Sequence, residues 1–88
     1  MDWTVVWLPD AEIELAELWL ASTGREATTA AADQIDQLLR NSPETSGESR
    51  AADRRILVIP PLAVIYRVFP DDRIVRVSNV REIRRKNG

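Results

Sequence analysis

Residues Leu62–Phe69 (LAVIYRVF) are apolar on both alternating faces. A run of this kind reads as a central strand covered on both sides, and the rest of the chain must supply its neighbours. Before it, Arg54–Ile59 reads as a second strand, closed by Pro60-Pro61. After it, Pro70-Asp71-Asp72 is a turn, because Pro presets φ and Asp tolerates turn geometry. Arg73–Asn79 then forms a third strand. A fourth opens the chain at Trp3-Thr4-Val5-Val6-Trp7-Leu8, rich in aromatic and β-branched residues.

Two helices fall between the first strand and the other three. Pro9 stops the strand, and Asp10, Glu12 and Glu14 behind it suit the exposed amides and dipole of a helix N-terminus. The first helix is expected over residues 10–22, with Ala11, Leu15, Leu18, Trp19 and Ser22 on one stripe. Ser22-Thr23-Gly24 breaks it, and Thr23-x-x-Glu26 has the pattern of a capping box. The second helix is expected over residues 25–40, with Ala27, Ala31, Ile35, Leu38 and Leu39 inward. The short break makes the pair an antiparallel hairpin. Residues 41–52 are polar, hold Pro43 and Gly47, and read as a loop. Residues 80–88 are basic and form either a short terminal helix or a frayed tail.

The order strand–helix–helix–strand–strand–strand predicts an α+β domain over residues 1–88. A helical hairpin packs on one face of a mostly antiparallel four-stranded sheet. Leu15, Leu18, Ile35 and Leu38 should meet one alternate set of Leu57, Ile59, Val64, Tyr66 and Val68. Trp3 and Trp7 share a strand face; they pack on the core or form an apolar platform for a partner.

Charge is split along the chain. Residues 1–49 carry two bases against ten acids, and residues 50–88 carry ten bases against four acids. Nine of those ten bases are Arg, whose planar fork of donors suits phosphate and carboxylate. The basic half points to a polyanion or an acidic protein as partner. The chain has neither Cys nor His. Disulfide scaffolding and thiolate zinc sites are excluded, as are the commonest general base and neutral metal ligand. No cofactor, metal or small-molecule substrate is expected. No apolar run is long enough to span a membrane, and the N-terminus lacks a basic start followed by an apolar stretch. A cytoplasmic location is therefore expected.

The chain resembles the RelE/ParE superfamily of bacterial type II toxins along nearly its whole length. The resemblance rests on the element order and on Leu39-Arg40-Asn41-Ser42-Pro43 with Gly47 after the second helix. It rests further on Arg54-Arg55-Ile56-Leu57-Val58, Val64-Ile65-Tyr66-Arg67-Val68 and Ile74-Val75-Arg76-Val77 on the closing strands. It implies a cognate antitoxin that wraps and silences the chain, inhibition of growth, and a part in plasmid stabilisation. The target it implies is messenger RNA in the ribosome for RelE-like members and DNA gyrase for ParE-like members.

RNA cleavage through the 2′-OH needs a proton acceptor, a proton donor and cations to hold the developing charge. By the resemblance, Arg54 stands where cleaving toxins place a base. Arg81, Arg84 and Arg85 lie in the right C-terminal region, but arginine is a poor proton shuttle. Ala63 stands where cleaving toxins usually carry Arg. Tyr66 is the only tyrosine, and on a covered strand it is a packed ring with a bonded hydroxyl rather than a catalyst. Arg54, Arg67, Arg76, Arg81, Arg84 and Arg85 are the candidates for binding target or phosphate. An antitoxin should bring carboxylates to Arg67, Arg76 and Arg81. The bland alternative pairs Arg67 and Arg76 with Asp53, Asp71 or Asp72. The acids of the first helix read as solvation and dipole chemistry.

The expected function is a ParE-like toxin that binds its target, with one departure: Ser78-Asn79-Val80 fills the stretch where ParE-like chains often carry His. The alternative is a ribosome-dependent mRNA endonuclease with Arg54, Arg81 and Arg85 as its candidate catalytic residues. A second alternative is a diverged, non-toxic module that sequesters an antitoxin.

Overall fold

The computed structural model describes residues 3–51 and 53–83. Among these residues five strands form one sheet: β1 (Thr4–Trp7), β2 (Glu48–Ser49), β3 (Arg54–Ile59), β4 (Leu62–Phe69) and β5 (Ile74–Glu82). Their spatial order is β1-β5-β4-β3-β2. β1 runs parallel to β5, and the other neighbouring pairs are antiparallel. The helices are α1 (Pro9–Ala21), α2 (Arg25–Asn41) and α3 (Pro43–Ser46). This is the expected α+β layout with one strand more than four. No helix among the described residues is long and apolar enough to cross a membrane.

The core lies between the helices and one sheet face. Ile35 and Leu39 of α2 meet Leu57, Leu62, Val64, Tyr66, Val75, Val77 and Val80, with Leu15, Leu18, Leu38, Ile59 and Val68 packed around them. α2 ends where β1 begins, and the Trp3 N–H donates to the Arg40 carbonyl at 2.8 Å. Trp7 Nε1 donates to Asp36 at 3.1 Å, and both Trp3 and Trp7 pack against the core.

Several local expectations are corrected. The inward stripe of α2 is Thr28, Ala31, Ile35 and Leu39; Ala27 is exposed and Leu38 only half-buried. Trp19 is 39% exposed. Its indole donates to Thr29 Oγ1 at 3.1 Å, and the Arg25 guanidinium stacks 4.7 Å from its ring. Arg25 also donates to the carbonyls of Trp19 and Leu20, closing a helix end that has no basic residue of its own. The capping box does not form: Gly24 is the N-cap of α2, without a side-chain cap bond, and its N–H donates to Ser22 Oγ.

The polar stretch expected as a loop contains α3 and β2. β2 has only two residues, too few for alternation to mark it, and it exists through pairing with Ile56 and Arg55. β4 is covered on one face only. Leu62, Val64 and Tyr66 are buried, whereas Ala63 and Ile65 are half-buried and Arg67 is exposed. Both long helices pack on the same side, so only cross-strand neighbours shield the other face. β5 continues through Glu82, so residues 80–82 are strand rather than helix or tail; the rest of that segment after Ile83 lies outside the described residues. A register shift falls between Ile65 and Tyr66, which pair with Asn79 and Val77 and leave Ser78 over. This bulge carries Val75, Val77 and Val80 to the core despite their uneven spacing.

Candidate anion-binding site

The open sheet face carries a row of three arginines. Arg54 on β3 is the register partner of Arg67 on β4, and Arg67 is the partner of Arg76 on β5. All three are exposed. Neighbouring strands lie about 4.8 Å apart, and like charges directly opposite one another destabilise a sheet. The Arg76 guanidinium lies 4.6 Å from the Phe69 ring centroid, so that ring holds it over the face. Among the described residues no carboxylate pairs with Arg54 or Arg76, so the alternative reading that pairs Arg76 with Asp53, Asp71 or Asp72 is not met. Apolar pairs flank the row on one side, Ile56 against Ile65 and then Val58 against Ala63. Val58 is 47% exposed.

Arg81 is on the same strand as Arg76 but is held differently. β1 stops pairing at Trp7–Val77, which leaves the edge of β5 open beyond that point. Glu14 of α1 fills the gap. Its Oε1 accepts from the Val80 backbone N–H at 3.0 Å and from Asn79 Nδ2 at 3.5 Å, while Oε2 pairs with Arg81 Nη1. The Val80 amide and the Arg81 guanidinium hold the Glu14 carboxyl below its ordinary range, against a smaller opposing push from burial. Glu14 is thus the exception to the reading of the α1 acids as mere solvation. Nothing in the sequence distinguishes it from its acidic neighbours. Arg84 and Arg85, the other basic candidates, lie outside the described residues.

Tyr66 faces away from the arginine row. Its ring is fully buried, and its hydroxyl donates to the Pro43 carbonyl at 2.8 Å. Burial raises its pKa, more than the nearby Arg55 lowers it. Arg55, the register partner of Tyr66, donates from Nη2 to the Gly47 carbonyl at 2.6 Å, and its buried Nε has no hydrogen-bond partner among the described residues. So Arg54 and Arg55, adjacent in sequence, serve opposite faces. Among the described residues no group of His, Cys, Asp or Glu could hold a metal ion. The open face therefore offers cation and apolar surface. Tyr66, the one tyrosine of the chain, is sealed on the other side.

No protein-family model matches the sequence, and no curated protein matches it. Solved structures do. The RelBE2 toxin–antitoxin complex of Mycobacterium tuberculosis matches with a TM-score of 0.78 at 18% identity, over 93% of this chain and 92% of that one. The chromosomal ParDE system of P. aeruginosa matches with a TM-score of 0.69 at 16% identity, over 93% and 97%. The isolated E. coli RelE toxin matches with a TM-score of 0.68 at 18% identity, over 97% and 88%. Over nearly its whole length, this chain has the fold of the RelE and ParE toxins.

Proposed function

We propose that this chain is the toxin of a type II toxin–antitoxin pair, and that it acts by binding an anionic target rather than by cleaving RNA. The observation that carries the reading is the in-register row Arg54–Arg67–Arg76 on an uncovered sheet face, with the Tyr66 hydroxyl buried on the opposite side. Three mutually repelling cations hold phosphate or carboxylate well, because an anion laid over them relieves their repulsion. Proton transfer needs a group whose pKa lies near the working pH, and arginine is not one. Losing a general acid or base commonly costs about 10²–10⁴ in rate.

Within the toxin reading, the gyrase-type target fits better than the ribosome, because it asks for a surface and not for acid–base chemistry. The same row favours a cognate antitoxin whose carboxylates meet Arg67 and Arg76. Similarity to a RelE toxin and to two toxin–antitoxin systems supports the pairing with an antitoxin.

The test is induced expression with separate readouts of growth, message ends and DNA supercoiling. Growth arrest with altered supercoiling and intact messages is the expected result. Codon-specific cuts that vanish in Arg54→Ala would replace this reading with the mRNA endonuclease. Absence of both arrest and cleavage would leave a non-toxic module that sequesters an antitoxin.

A further inference from the structure

Arg81 belongs by register to the same sheet face as the arginine row. Its partner across the strand pair is Ala63, which lies on the open face four residues before Arg67 on β4. At about 3.3 Å per residue, that puts Arg81 about 13 Å from the row along the strand direction. Two adjacent nucleotides of an extended single strand cover that span. Yet the guanidinium is turned aside. Nη1 pairs with Glu14 Oε2 and donates to the Val80 carbonyl at 3.0 Å. The Glu14 carboxylate is itself anchored by the Val80 amide, so it does not swing away freely. Arg81 is 58% exposed at its side chain, within reach of a ligand that can replace its partner.

We propose that Glu14 restrains the anion site: it withholds Arg81 from the open face, and a polyanion that extends along the sheet from the arginine row must exchange Glu14 for a phosphate. The inference rests on the reading of the row as the anion site. It makes Glu14 a positioning residue that acts through Arg81 and sets how much of an anion's length the protein engages. A compact anion over Arg54, Arg67 and Arg76 leaves the Glu14–Arg81 pair intact; an extended one breaks it.

Glu14→Gln separates the two jobs of the side chain. The amide oxygen still accepts from the Val80 N–H, while the charge that holds Arg81 is gone. The probe is a fluorescent oligouridylate, titrated over a range of salt, with melting curves to verify folding. E14Q should bind several-fold more tightly than the wild type at low salt. Its log K against log salt slope should steepen by about 0.7, the counterion share of one further phosphate on a single strand. R81Q alone should cost less than R76Q, and the gain should vanish in E14Q/R81Q. Inorganic pyrophosphate, too short to reach Arg81, should show no gain in E14Q.

Weaker or unchanged binding by E14Q would overturn the proposal, because Glu14 would then present Arg81 or ignore it. A gain that persists in E14Q/R81Q would also overturn it, as a simple effect of net charge. If R54Q and R76Q bind the oligonucleotide as well as the wild type does, the row does not hold the strand's phosphates and this proposal falls, whereas the toxin reading itself stands or falls on the growth and supercoiling readouts.

Discussion

A Cβ on Gly47 would lie 2.6 Å from the hydroxyl oxygen of Tyr66. It would lie equally close to the backbone oxygen of Ile56. Gly47 is therefore where the chain passes under β3 and β4 with no room for a side chain, between α3 and β2. The backbone there also supplies the carbonyl that Arg55 grips. Gly47→Ala must push a backbone carbonyl aside. It should destabilise the fold by about 1–3 kcal/mol, the usual cost of overpacking, measured by urea denaturation. A change within experimental error would mean that the corner gives way easily.

Tyr66→Phe removes the hydroxyl that donates to the Pro43 carbonyl. A loss of about 1–2 kcal/mol is expected. Because burial raises the folded-state pKa of Tyr66 above its ordinary 10.0, its contribution is complete below pH 10 and fades as pH rises through the folded value. Alkaline denaturation should show this step in the wild type and not in Tyr66→Phe. Target binding should be unchanged, since the hydroxyl is on the face away from the arginines. A binding defect in a folded Tyr66→Phe protein would count against the assignment of the two faces.

Arg54→Gln should trade function against stability in the opposite sense. Removing one of three cations in register relieves repulsion worth about 0.2–1 kcal/mol, so the variant should melt slightly higher at low salt, with the difference shrinking as salt is added. Polyanion binding should weaken in the same variant. Lower stability with intact binding would show that the row is a structural feature and not a site.

Glu14 gives the acid-side prediction. Its folded-state pKa is depressed by the Val80 amide and Arg81, so its stabilisation is present above the ordinary glutamate value of 4.5 and is lost as pH falls through the folded value. The wild type should exceed Glu14→Gln in stability near neutral pH, and the two should converge at acid pH. Parallel curves across that window would mean that the carboxylate charge contributes nothing.

Leu39→Ala should cost about 2–5 kcal/mol because the side chain is fully buried. Leu38→Ala should cost less than half as much, since Leu38 lies at the margin of the core. Equal losses would mean that α2 is rotated from the arrangement described.

The three arginines of the row show how far the sequence alone reaches. Arg54 lies six residues before Pro60 and Arg67 six after Pro61; Arg67 lies four before Asp71 and Arg76 four after Asp72. Two symmetric hairpins thus put the three arginines in one row, because antiparallel register is set by the turn between the strands. The apolar periodicity of α2 and the β-rich runs likewise determined the α+β order and most of the core. Tertiary structure decided what depends on elements distant in sequence. Glu14 is 66 residues from the amide it caps, and it matters only because β1 ends early and leaves the β5 edge open. β2 is a strand only through its partner, and the bulge at Ser78 hides the third inward valine from any count of alternation. Local pattern fixes which face a residue takes within its own element. Only packing decides which faces are covered, which edges stay open, and which charge is held back from the surface that needs it.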